Sequence, residues 1–173
     1  MEKLRQARVF LFQYGSNMSP ARLNGPERLN GQAKAISAAR LDGWGIRFDL
    51  NSKTNDSAVT DIVPAPGEHV LGVLFELSEG ALAVMDRIEG VRADGMGNYQ
   101  RANVEISVVP SGETVTAVTY LGTEAGRARC RNGSADRQIV KPAYFEHLLA
   151  GGRLFDFGTA YVRYLHRQAG FPE

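Results

Sequence analysis

With 173 residues, 43% of them hydrophobic and 23% charged, the chain suits one compact domain (1–173) of a soluble globular protein, long enough to bury a sizeable core. A formal net charge of +1 gives no electrostatic case for nucleic acid or an anionic membrane as partner. No apolar run approaches a membrane span, the start MEKLRQARVFLF lacks the layout of a signal peptide, and the lone Cys130 excludes an intramolecular disulfide or a multi-cysteine zinc site. A cytoplasmic location is the expectation.

In chain order, RVFLFQY is a short continuous apolar run, as a strand buried on both faces requires. After the polar turn Tyr14-Gly15-Ser16-Asn17, Ser19 followed by Pro20 reads as a capping residue and a first-turn proline, so a short helix opens there. GIRFDL alternates, with Ile46, Phe48 and Leu50 on one side and Arg47 and Asp49 on the other. AVTDIV, HVLGVLFEL, NVEISVV and TVTAVTYL are rich in β-branched residues and bounded by Gly, Pro or Ser, and VPSGET joins the last two as a hairpin connection. SEGALAVMDRIEG places Leu82, Met85 and Ile88 or Glu89 at helical spacing, with Ser78 as the N-cap and Gly90 as the stop. PAYFEHLLAGG and GTAYVRYLHRQAG predict two further helices, each ended by Gly. Between them and the last strand, GTEAGRARCRNGSADRQIVK reads as a charged loop carrying Arg127, Arg129, Arg131, Arg137 and Lys141. Six short strands with a few interspersed helices predict an α+β fold around a small, mostly antiparallel, barrel-like sheet with a few flanking helices.

The sequence contains no P-loop, no dinucleotide fingerprint, no His-Glu-x-x-His and no Gly-x-Ser-x-Gly. His69, His147 and His166 are scattered without metal-ligand spacing. Cys130 lies in RARCRN, where the arginines would lower a thiol pKa if they faced it; a cysteine in a solvated basic loop is the plainer reading.

Two segments carry chemistry. At YGSN a strand bends into a helix N-terminus, which leaves backbone N–H groups pointing where a carboxylate or oxyanion would sit. Gly15 would let the backbone approach a ligand or adopt positive φ, and Ser16 and Asn17 could add side-chain donors. Such a turn is equally compatible with being only a turn. In DRIEGVRADGMGNYQR, Glu89 falls at a helix C-terminus, where the dipole and Asp86 one turn earlier would raise its pKa, and burial would raise it further. That suits a group moving protons near neutrality. An exposed glutamate beside a helix stop has the same local sequence.

Taken in order, FQYGSNM, GVLFELS, MDRIEGV and NYQR resemble the γ-glutamylcyclotransferase-like family, and the similarity extends through KPAYFEHLLAGG and FGTAYVRYL. The resemblance implies a small mixed α/β barrel without cofactor. It also implies an intramolecular reaction, in which the α-amino group of a γ-glutamyl unit attacks its own γ-carbonyl to release 5-oxoproline and a free amine or amino acid. By the same resemblance Glu89 would be the general acid/base. Leu11, Phe12, Gln13, Tyr14, Gly15 and Ser16, with Asn17, would bind the glutamyl end, Tyr99 would hydrogen-bond substrate or orient Glu89, and Tyr144 would line the pocket. For the two tyrosines a half-buried core position is the alternative. Gln13 departs from the small residue usual before the Tyr-Gly pair. The family includes relatives acting on γ-glutamyl amino acids, γ-glutamyl amines or γ-glutamyl protecting groups, and a binding module of the same fold without turnover is the competing class. The oligomeric state is not readable from these motifs.

Overall fold

The apolar run near the N-terminus forms strand β1, Arg8–Gln13, in a computed structural model that describes residues 7–173. It feeds a single 3-10 turn, Ser16–Met18, and then the four-residue helix α1, Pro20–Leu23, whose Ser19 side chain accepts from the Arg22 N–H as a cap. Two long strands follow: β2, Lys34–Ser52, and β3, Ser57–Ser78. Helix α2, Glu79–Ile88, is capped by Ser78 at its start. It ends at Glu89, before Gly90 in the left-handed region at φ 67°. The hairpin β4, Tyr99–Val108, and β5, Thr114–Gly122, precedes helices α3, Glu124–Arg131, α4, Pro142–Leu154, and α5, Gly158–Ala169.

The strands close into a barrel in the order β1-β3-β2-β4-β5. All neighbours are antiparallel except β1 and β5, which meet in parallel at Leu11 and Val118. This is the α+β, mostly antiparallel barrel with flanking helices that the strand pattern implied. The core fills with Leu11, Phe12, Phe75, Leu74, Ile62 and Ile106, all essentially without solvent contact.

Four features differ from the sequence reading. Strand β2 begins at Lys34, well before GIRFDL, and its alternation is interrupted: the register shifts between Arg47 and Leu50. Ile46 and Leu50 are therefore fully buried while Phe48 is only partly so. AVTDIV and HVLGVLFEL are not two strands but one. Pro64 pairs with Trp44 at a register shift, where a missing N–H costs the ladder nothing, and the strand continues past Pro66 and through Gly67, which takes a positive φ of 87°. The segment read as a basic loop contains α3, capped by the Thr123 side chain, and a 3-10 turn, Ala135–Gln138. Finally, α4 does not stop at its glycines. A Cβ on Gly151 would come within 2.6 Å of the Met18 Cβ, so the glycine serves close approach of α4 to the 3-10 turn rather than termination.

Candidate active site

One end of the barrel opens into a cavity of about 680 Å³, a size suited to a small-molecule ligand. Its floor is built where the end of β1, the start of β3, the end of α2 and the starts of β4 and α4 converge, and it holds Gln13, Asn17, Thr60, Glu89, Tyr99 and Tyr144.

Asn17 sits in the 3-10 turn after β1 and is buried. Its Nδ2 donates to Glu89 Oε1 at 3.0 Å. Glu89 closes α2 as its C-cap. Although the residue keeps some contact with solvent, burial pushes its carboxyl pKa from the ordinary 4.5 up to about 7, against the opposing pull of Arg28, the Asn17 hydrogen bond and Arg22. Asp86 contributes nothing to that rise. Arg101 grips it through two nitrogens, the Nε at 2.6 Å, and the Tyr120 hydroxyl donates to it at 2.9 Å, so its charge is answered on the barrel exterior. The sequence expectation of a raised pKa thus holds, and of the causes it invoked burial is the one that raises it.

Two buried polar atoms at the floor lack a partner among the described residues: Gln13 Nε2, a donor, and Asn17 Oδ1, an acceptor. Gln13 and Asn17 are themselves 6% and 5% exposed. Unpaired buried polar atoms are costly, and here a donor and an acceptor border the same cavity beside a proton-transfer group. The N–H groups of Ser16 and Asn17 also have no acceptor among the described residues.

Thr60 on β3 organises the rest, and no sequence signal pointed to it. Its N–H donates to the Tyr144 hydroxyl at 3.1 Å, its own hydroxyl lies 3.0 Å from the same oxygen, and its carbonyl accepts from the Tyr99 hydroxyl. Tyr99 is therefore held by Thr60 and makes no hydrogen bond to Glu89. Tyr14 donates to the Tyr120 carbonyl. Burial raises the Tyr14, Tyr99 and Tyr144 hydroxyls above their ordinary range, so all three stay neutral near pH 7.

The structure divides the other predicted residues. Tyr14, Gly15 and Ser16 border the cavity with Gln13 and Asn17, whereas Leu11 and Phe12 do not: both side chains are fully buried in the core. Gly15 has a negative φ of −111°, so it is not there for left-handed backbone. A Cβ on it would meet Thr60 Oγ1 at 2.3 Å; the loop lies flat against β3 and only glycine fits. His147 is the partner of Arg22, 3.1 Å away, and burial together with Arg22 lowers its pKa. Cys130 is buried on α3, and burial raises its thiol pKa, opposite to the lowering that surrounding arginines would cause. Arg127 turns inward: it binds Asp61, which has no solvent exposure, with Nε at 2.9 Å and a second nitrogen at 2.6 Å.

Residues 11–141 match the family model described as γ-glutamyl cyclotransferase, AIG2-like. The chain belongs to that family. Curated γ-glutamylcyclotransferases from Bos taurus and Homo sapiens are 29% and 28% identical to it over 116 residues, which is 65% of this chain and 58% of each relative. The match thus spans less than two thirds of those relatives' length. A solved structure titled γ-glutamyl cyclotransferase superposes with a TM-score of 0.73 at 23% identity, covering 92% of this chain and 86% of that one. It shares the cyclotransferase barrel. Among the described residues no helix is long and apolar enough to cross a membrane.

Proposed function

We infer that this family member is a γ-glutamyl cyclotransferase that releases 5-oxoproline from a γ-glutamyl amide. The observation that carries the reading is the buried Glu89 carboxyl, poised near pH 7 on the cavity floor and tied to the glutamyl-binding turn through Asn17. A group that titrates near neutrality can both take and return a proton.

The reaction needs little else. Ionised Glu89 takes a proton from the α-ammonium of the bound γ-glutamyl unit. The freed nitrogen attacks the γ-carbonyl carbon, forming the ring C–N bond and a tetrahedral oxyanion. Collapse breaks the original amide C–N bond as Glu89 returns that proton to the departing nitrogen. Glu89 then takes the surplus proton of the ring nitrogen and passes it to the released amine, so the products are a neutral lactam and an ammonium and Glu89 is again ionised. The unpaired Asn17 Oδ1 suits an ammonium N–H next to Glu89, and the unpaired Gln13 Nε2 suits a carboxylate or carbonyl oxygen. The free N–H groups of Ser16 and Asn17 supply the glutamyl carboxylate or the oxyanion with donors. Because amine and carbonyl are tethered, folding the substrate in a fixed floor supplies much of the rate.

The test is 5-oxoproline release from a broad panel of γ-glutamyl amides, with chelator present. Wild-type protein should act on at least one member. Glu89→Gln should lose ~10²–10⁴-fold in kcat while calorimetry still detects substrate binding. Folded wild-type protein that binds panel members and turns over none would make the cavity a binding module.

A further inference from the structure

The cavity changes character from floor to rim. The floor is neutral and polar apart from Glu89, whereas the wall toward solvent carries Arg28, Lys53, Arg87, Arg129 and Arg137 against the single carboxylate of Glu27. These cations come from separate parts of the chain: the segment after α1, the β2–β3 turn, the last turn of α2, α3, and the 3-10 turn before α4. None has an ion-pair partner among the described residues. Elsewhere most surface arginines are answered, Arg40 by Asp42, Arg92 by Asp94, Arg131 by Glu124 and Arg167 by Glu173, with the exposed Arg163 standing alone rather than in a cluster. Arg129 is also held in place, donating to the Met96 carbonyl at 2.8 Å and to Asn98 Oδ1 at 2.9 Å. Like charges gathered around one opening repel each other and concentrate anions there.

The cavity, at about 680 Å³, is also too large for a five-carbon glutamyl unit alone, since such volumes accommodate drug-sized ligands. With the glutamyl head at Asn17 and Glu89, the amide nitrogen and everything attached to it extend toward the basic rim. We propose that this rim selects an anionic leaving group: an amino acid or short peptide carrying more than one carboxylate, preferred over neutral amines. The proposal rests on the cyclotransferase reading for the direction in which the substrate lies.

The probes are γ-glutamyl-glutamate and γ-glutamyl-glutamine, which match in shape and differ by one carboxylate. Binding is measured by calorimetry on full-length Glu89→Gln protein, and kcat and KM on wild type. At low ionic strength the glutamate compound should bind about five- to tenfold more tightly. The difference should appear in KM rather than kcat and shrink as salt is added. Lys53→Gln combined with Arg137→Gln, neither of which loses a hydrogen bond from its charged head among the described residues (the Arg137 contact to Asn51 is through its backbone carbonyl), should reduce the preference to about twofold. Equal binding constants for the two probes, binding of neither, or a preference that survives both salt and the double variant overturns the proposal. Preferential binding without 5-oxoproline from wild type would overturn the cyclotransferase reading and leave the basic rim as the selective element.

Discussion

Asn17 and Glu89, 72 positions apart in the chain, are joined by a 3.0 Å hydrogen bond on the cavity floor. The contact couples the turn that would hold the glutamyl unit to the carboxyl that would move its proton. Because the amide N–H favours the charged carboxylate, it works against the burial that raises the Glu89 pKa.

That balance sets the pH dependence. Burial places Glu89 near pH 7, so kcat/KM should rise with pH through about 7 as the base form appears. Asn17→Leu removes the donor, leaves the desolvation, and should move the inflection to higher pH. A pH–rate profile of the two proteins decides; the same inflection in both would separate Asn17 from the proton transfer.

The same shift destabilises the fold above the acid range. The folded carboxyl holds its proton up to about 7 while the unfolded one releases it near 4.5. As pH rises through that window the unfolded state is favoured, and stability falls until both forms are ionised. Glu89→Gln has no charge to bury. It should therefore match wild type below pH 4 and exceed it by about 3 kcal/mol at pH 8, read from urea unfolding at the two pH values. A variant no more stable than wild type at pH 8 would mean that the carboxyl is solvated in the folded protein.

Gly15 and Thr60 form a packed pair, with no room for a methyl between the turn and β3. Gly15→Ala should cost about 1–3 kcal/mol of stability by overpacking and weaken substrate binding. Adding Thr60→Ala removes the clashing oxygen, leaves Thr60 Cβ at 3.6 Å, and should restore part of the loss. Strict additivity of the two stability changes would show that the turn relaxes away from β3 instead.

Arg127 and Arg131 lie four residues apart on α3 and should behave oppositely. Arg127→Met leaves Asp61 charged and buried without its partner, a change that costs about 3–5 kcal/mol. Arg131→Met breaks only an exposed pair with Glu124, worth about 1 kcal/mol or less. Thermal or denaturant unfolding of the two variants is the measurement, and equal losses would refute a structural role for Arg127.

What the chain alone determined was local. Ser19 and Ser78 cap helices and Gly90 ends α2 because these are hydrogen bonds and dihedral choices made within a few residues. The β-rich runs became strands, and the YGSN and DRIEG motifs pointed to Asn17 and Glu89 separately. Only the tertiary structure brought these two side chains together, made Thr60 the anchor of Tyr99 and Tyr144, and turned Arg127 inward to Asp61 while Arg129 and Arg137 stayed on the rim. It also sent Leu11 and Phe12 into the core and merged two predicted strands into β3. Which face of an arginine-rich segment is buried, and how far desolvation moves a carboxyl, depend on atoms supplied by distant parts of the chain. Closure of the barrel brings those atoms together, and no short window of sequence contains them.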